Sequence, residues 1–187
     1  MKLSIGAGTR QIEGFVSIDI DPALGPDIVA DITRPLPFPD ASVECLFCEE
    51  VLSQIDPAAC VEFLRECVRV LQPGGVVRVL TPDLERFARA YLDQPDWLVA
   101  IWDKHVAIPL YAGTAAEVFN LGMRGVGPFV YDRDTLTRLA EQAGMRLHES
   151  SFNQSLHPAM CGIDMRSPQE TLTMYLEFTP LSDHGRA

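Results

Sequence analysis

Lysine is nearly absent from this chain. Lys2 and Lys104 are the only two among 187 residues, and 15 basic residues face 26 acidic ones, for a net charge of −11. No run of Lys or Arg occurs, and the basic stripe that phosphate backbones require is missing. Nucleic acid is therefore excluded as a partner, and small molecules, cationic ones included, are the expected ligands. No apolar run reaches the ~18 residues of a membrane span, and the first residues carry no secretory signal pattern, so a cytoplasmic protein with no membrane partner is expected. Cysteine is present five times, an odd number (Cys45, Cys48, Cys60, Cys67, Cys161). Cys45-x-x-Cys48 falls in the apolar run Val43–Cys48, and on a strand residues three apart point to opposite faces. Cys60 and Cys67, seven apart, share the apolar face of a helix. Buried, reduced thiols follow, rather than a metal site or a disulfide. Internal repeats and a second domain are lacking too. The reading is one domain over 1–178 with inserted helices at about 94–125, then a loose tail over 179–187.

What is present concentrates in Met1 to Asp21. Lys2-Leu3-Ser4-Ile5 reads as a strand running into Gly6-Ala7-Gly8, and Phe15-Val16-Ser17-Ile18 as a second strand ending at Asp19. Glycines just past a strand let backbone approach a ligand closely, and an acid at the tip of the next strand can accept from a ribose diol. A dinucleotide fingerprint needs a third glycine, an opening helix and an acid about 20 residues further on. This spacing offers none of these, so a nucleoside cofactor without a pyrophosphate is the better match.

Further on, Asp27–Ala30 repeats the pattern of an apolar strand closing on an acid, Asp31, which could accept from an adenine amino group or merely cap a turn. Val43–Cys48 reads as a fourth strand. Asp56-Pro57 opens a helix with apolar positions Val61, Leu64, Cys67, Val68 and Leu71, stopped by Gln72-Pro73-Gly74-Gly75. Val76–Thr81 is a fifth strand, followed by a helix from Pro82-Asp83 to about Leu92. Alternating strands and helices give a parallel α/β sheet. Gln94–Ala112, with Trp97, Trp102, His105 and Tyr111, reads as a helical insertion: a substrate lid, a homodimer contact or plain core packing. Gly122–Gly127 reads as a flexible loop and Asp132–Ala143 as a helix. Arg146–Phe152 and Thr171–Phe178 read as a last antiparallel pair.

Phe63 to Val77, FLRECVRVLQPGGVV, resembles the "fLrEvhRVLkPGGvl" segment of class I S-adenosylmethionine-dependent methyltransferases, and Leu36 to Glu44, LPFPDASVE, resembles their "LPFpDnSfD". Leu3 to Pro22 is similar to a small methyltransferase type 11-like group with a shortened first connection. The resemblance implies a Rossmann-like doubly wound, mostly parallel sheet and S-adenosyl-L-methionine as cofactor. It places Gly6, Ala7 and Gly8 along the methionine portion and sulfonium, Asp19 on the ribose and Ile20 against the adenine. Asp31 and Ile32 would flank the adenine edge, with Cys48 and Glu49 at the amino-acid end. Two histidines that relatives carry after the fourth strand are replaced here by Glu50 and Gln54, and a third, before Tyr131-Asp132, is missing.

Methyl transfer needs a base only for acceptors with a proton to lose. The candidates are Glu50, best placed just past the fourth strand, with His105 and His157. The expected activity is methyl transfer to a small molecule, a sugar or secondary metabolite. The alternatives are a catalytically degenerate S-adenosylmethionine- or S-adenosylhomocysteine-binding protein and a nicotinamide-dependent oxidoreductase.

Overall fold

The computed structural model describes residues 1–105, 113–125 and 127–181, with Asp103 and His105 described by backbone alone. The apolar runs become strands β1 (Lys2–Ile5), β2 (Val16–Asp19), β3 (Ile28–Val29), β4 (Val43–Glu49) and β5 (Leu71–Pro82), all parallel. β6 (Met145–Glu149) and β7 (Thr173–Pro180) complete the sheet, antiparallel to each other, with β7 also antiparallel to β5. The order is β3-β2-β1-β4-β5-β7-β6, so the winding reverses between β1 and β4. Ligands of open α/β sheets sit outside the carboxyl ends of the strands at such a reversal. This is the expected doubly wound, mostly parallel architecture with a final antiparallel pair.

The helices are α1 (Pro57–Val70), α2 (Leu84–Asp93), α3 (Pro95–His105), α4 (Ala115–Gly125) and α5 (Arg133–Gln142). Asp56 caps α1 by accepting from Ala59 N at 2.9 Å, and Asp132 caps α5 by accepting from Thr135 N at 2.8 Å. The apolar stripes of α1 (Phe63, Leu64, Cys67) and α5 (Leu136, Leu139) bury Leu3, Ile5, Leu46, Cys48, Val77 and Val79 on one face of the sheet. Irregular chain packs on the opposite face: Ile12 from the β1–β2 connection, and Phe152, Met160 and Ile163 from the β6–β7 connection, cover Phe47, Val76, Leu80 and Tyr175. α2, α3 and α4 form a third cluster beyond β5, built on Phe87, Leu98, Trp102 and Val118. The insertion therefore packs as a small core of its own.

One charged residue organises the irregular face. Arg78, fully buried in β5, donates to Asp164 Oδ1 (2.8 Å) and Oδ2 (2.5 Å), Glu177 Oε1 (3.3 Å), Ser150 Oγ (3.1 Å) and Ser151 O (3.0 Å). These five bonds match the five N–H donors of a guanidinium. The acids hold the loop in turn, since Asp164 accepts from Asn153 N and Glu177 from Leu156 N.

Three expectations need correction. α1 stops at Val70, and Leu71 already pairs with Val43; Gly74, at φ +81°, lies inside β5 rather than at a helix end, where the register with β4 shifts. Gly122 is buried inside α4 and does not belong to a loop: a Cβ there would stand 2.7 Å from Phe87 Cε1, so the glycine permits close helix packing. Thr179 and Pro180 belong to β7, not to a tail, because they pair with Arg146 and Met145; residues 182–187 and Tyr111 lie outside the described residues. Cys45, Cys48, Cys60 and Cys67 are buried free thiols, as expected, whereas Cys161 is exposed. Among the described residues no helix is long and apolar enough to cross a membrane.

Arg78→Met would strand two buried carboxylates. A loss of about 3–5 kcal/mol is expected, read as a lower urea midpoint at unchanged slope.

Candidate active site

Gly6 (φ +62°) and Gly8 (φ +57°) turn the chain sharply off β1. Ala7 N donates to Ile18 O at 3.1 Å, and Gly8 N to Asp19 Oδ2 at 2.8 Å, so the turn and the tip of β2 are tied together. No helix follows the turn: residues 6–15 are irregular, leaving no helix N-terminus for a pyrophosphate. A hollow of about 480 Å³ opens beside it, lined by Gly6, Ile18, Asp19, Ile20, Ala30, Asp31 and Ile32, with Val51 and Ile55 among the residues opposite. The four residues expected around an adenosine, Asp19, Ile20, Asp31 and Ile32, thus converge, with Gly6 beside them. Gly8 does not line the hollow, and its amide instead holds Asp19. Asp31 combines both readings of its sequence position. It lines the cavity, and its Oδ1 accepts from Thr33 Oγ1 (2.7 Å) and Thr33 N (2.9 Å), which hold its carboxyl below the usual range.

A second hollow, about 340 Å³, continues from Gly6 and Ala7 past Arg10, Phe47, Glu49 and Glu50 to Met165 and Arg166. Arg10 Nη1 donates to Glu49 Oε2 at 3.0 Å and Arg10 Nη2 to Ile163 O, while Arg166 Nε stands 3.8 Å from Glu49 Oε1. That Glu49 Oε1 is buried without a hydrogen-bond partner. Burial raises the Glu49 carboxyl, and Arg10 and Arg166 pull it back. Two cations, Arg10 and Arg166, and three carboxyls, Glu49, Glu50 and Glu170, around one cavity suit a zwitterionic amino-acid group. Cys48 is not among the lining residues: alternation along β4 turns Phe47 and Glu49 to the hollow and Cys48 to the core beside Cys60 and Cys67, where burial pushes its thiol far up.

Glu50 stands at the junction. Its backbone takes φ +60°, in the left-handed region that non-glycine residues rarely adopt, and Glu50 N donates to Leu80 O at 2.8 Å. The residue lines the first two hollows and a third of about 110 Å³ walled by Pro82, Phe87, Leu98, Ile101, Trp102 and Leu172. Burial raises its carboxyl to about 7, Glu49 adding to the effect while Arg166 and a Thr173 hydrogen bond oppose it. His157 sits elsewhere, capping the turn Pro158–Met160 with Nδ1 accepting from Ala159 N at 3.3 Å. His105 ends α3, and its side chain lies outside the described residues.

Sequence reasoning missed Arg10, Met165 and Arg166. Arg10 had a signal, since it is the first charged residue after the glycine turn. Arg166 had none, because the loop that delivers it spans about half the sheet.

A family model described as "Methyltransferase domain" matches residues 10–79. Among solved structures, a chain from the Haloferax volcanii complex of the Trm112 methyltransferase activator with a methyltransferase superposes at TM-score 0.57 and 15% identity, over 98% of this chain and 83% of that one. A SAM-dependent methyltransferase from Thermotoga maritima gives 0.57 and 15%, over 96% and 81%. An O-methyltransferase of neocarzinostatin biosynthesis, solved with S-adenosylmethionine and 2-hydroxy-5-methyl naphthoic acid, gives 0.51 and 17%; the present chain spans 48% of its length. No curated protein matches significantly in sequence. The fold is the one these S-adenosylmethionine-dependent methyltransferases share, and the methyltransferase family model matches the stretch from β2 through α1 into β5.

The residues fit that cofactor. Gly6 lines both hollows without a side chain, a Cβ there standing 2.2 Å from Val51 Cγ2, and the Glu49 oxygen that lacks a hydrogen bond suits an ammonium group.

The raised Glu50 carboxyl has a thermodynamic consequence. The folded protein binds its proton at about 7 against 4.5 for the ordinary group, so Glu50 costs stability as pH rises from about 4.5 to 7. Glu50→Gln is expected to remove that loss and to exceed wild type at pH 8 by about 1–3 kcal/mol, measured as the difference between the two denaturation curves across pH.

Proposed function

We propose that the chain binds S-adenosylmethionine across the first two hollows and transfers its methyl group to a small-molecule acceptor, with Glu50 as general base. The observation that carries this is the meeting of three cavities at Glu50: one nucleoside-shaped, one lined for a zwitterion, one apolar. Bound there, the cofactor supplies a sulfonium methyl group that leaves behind a neutral thioether, so a protonated acceptor must give up one proton.

Asp19 holds the ribose, Ile20 and Ile32 sandwich the base, and Asp31 faces its amino edge. Glu49 takes the ammonium group and Arg10 or Arg166 the carboxylate. Glu50 takes the acceptor's proton; a base near 7 is half deprotonated at neutral pH, where proton transfer is most effective. The remaining work is alignment and exclusion of water. The histidines of the resembling family are not needed for this scheme, because a carboxyl desolvated to the same range replaces them.

Calorimetry with S-adenosylhomocysteine tests the cofactor site. Glu49→Gln is expected to weaken binding by about tenfold, as loss of a charge-assisted hydrogen bond would; unchanged affinity refutes the role of Glu49. Glu50→Gln is expected to keep cofactor affinity while turnover drops about 10²–10⁴-fold. Wild-type rate should climb with pH through about 7 and then level off, following deprotonation of Glu50. Full turnover by Glu50→Gln removes the base, and cofactor binding with no turnover on any acceptor leaves a binding protein.

A further inference from the structure

The third hollow is not used by the cofactor in this scheme, yet it shares Glu50, Arg166, Glu170 and Thr171 with the second. It therefore opens where an acceptor would have to lie. We propose that it is the acceptor subsite and that it takes a single hydroxylated aromatic ring, a phenol, with the hydroxyl at Glu50 and a second oxygen, where the acceptor carries one, at Trp102 Nε1. This rests on the methyl-transfer reading above and adds the class of acceptor.

Four observations support it. One side is apolar and partly aromatic, with Phe87, Leu98, Ile101, Trp102 and Leu172 contributed by α2, α3 and the residue before β7, while Glu50, Arg166, Glu170, Thr171 and Thr173 form a polar side. Sugars, which would need polar partners on every face, are disfavoured by the apolar side. The volume, about 110 Å³, admits no more than one ring, being below the roughly 150 Å³ of a cavity that accommodates benzene. Trp102, more than nine-tenths buried, has an indole N–H with no partner among the described residues, a donor in want of an oxygen.

The last observation concerns the proton. A phenolic hydroxyl ionises near ~10, within reach of a base near 7, whereas an aliphatic hydroxyl lies closer to water's ~15.7. Glu50 is thus matched to a phenol: the O–H proton passes to its carboxylate and then to solvent as the oxygen's lone pair becomes available to form the new bond to carbon.

The test is ligand-observed NMR titration of 4-methylphenol, toluene and cyclohexanol into protein saturated with S-adenosylhomocysteine. 4-Methylphenol is expected to bind at least about tenfold more tightly than the analogues lacking the hydroxyl or the aromatic ring. Leu98→Trp, which fills the hollow, should weaken it by about tenfold or more while leaving S-adenosylhomocysteine affinity within about twofold, the latter also reporting an intact fold. Ile101→Trp, at a half-buried wall position, serves if Leu98→Trp fails to fold. Absence of 4-methylphenol binding, equal binding of toluene or cyclohexanol, or indifference to both tryptophan substitutions overturns the acceptor proposal and leaves the cofactor reading standing. Failure of wild type to bind S-adenosylhomocysteine overturns both.

Discussion

A guanidinium buried in the middle of β5 governs how this molecule is assembled. Open α/β sheets normally bury both faces under helices, and here one face is covered by irregular chain instead. Irregular chain has few backbone partners of its own, and Arg78 supplies anchors through Asp164, Ser151 O and, by way of Glu177, Leu156 N. Two carboxyls at zero to one per cent exposure would be prohibitive alone and are tolerable only around that cation. The consequence reaches the site: Asp164 fixes the segment that presents Ile163 O to Arg10 and Arg166 to Glu49.

The same shortage of helix explains the cofactor pocket. With no crossover helix after β1, the glycine turn must be held by side chains. Asp19 does this through Gly8 N while still lining the nucleoside hollow. Glu50 is the counterpart on β4. Its left-handed backbone bends the chain out of the strand at the point where three cavities meet, a strain that the bond from Glu50 N to Leu80 O helps to hold. Strained backbone of this kind tends to cluster at functional positions.

Much of the fold was legible because its signals are local. The apolar runs before Asp19, Asp31 and Glu49, the Asp56-Pro57 start and the Asp132 cap depend on neighbours within four residues, and each element appeared where these signals placed it. Errors came where distant contacts decide. Gln72-Pro73-Gly74-Gly75 looks like a helix stop, yet pairing of Leu71 with Val43 takes these residues into the sheet. Gly122 looks like a loop residue until Phe87 packs against it. Of the residues that line the two hollows, Gly6, Asp19, Ile20, Asp31, Ile32 and Glu49 stand at strand ends, where the sequence already puts them. Cys48 was misjudged by one residue of strand alternation, which inverts the face.

By itself the order of residues determined most of the strands and helices, the acids at the strand tips and the truncated first crossover, because each follows from period, caps and spacing along the chain. Only the tertiary structure decided that Arg78 nucleates a buried ion cluster, that Arg166 arrives beside Glu49, and that Glu50 borders an apolar hollow made by α2 and α3. Those relations join residues some tens to more than a hundred positions apart, and no local pattern encodes a distance across the fold.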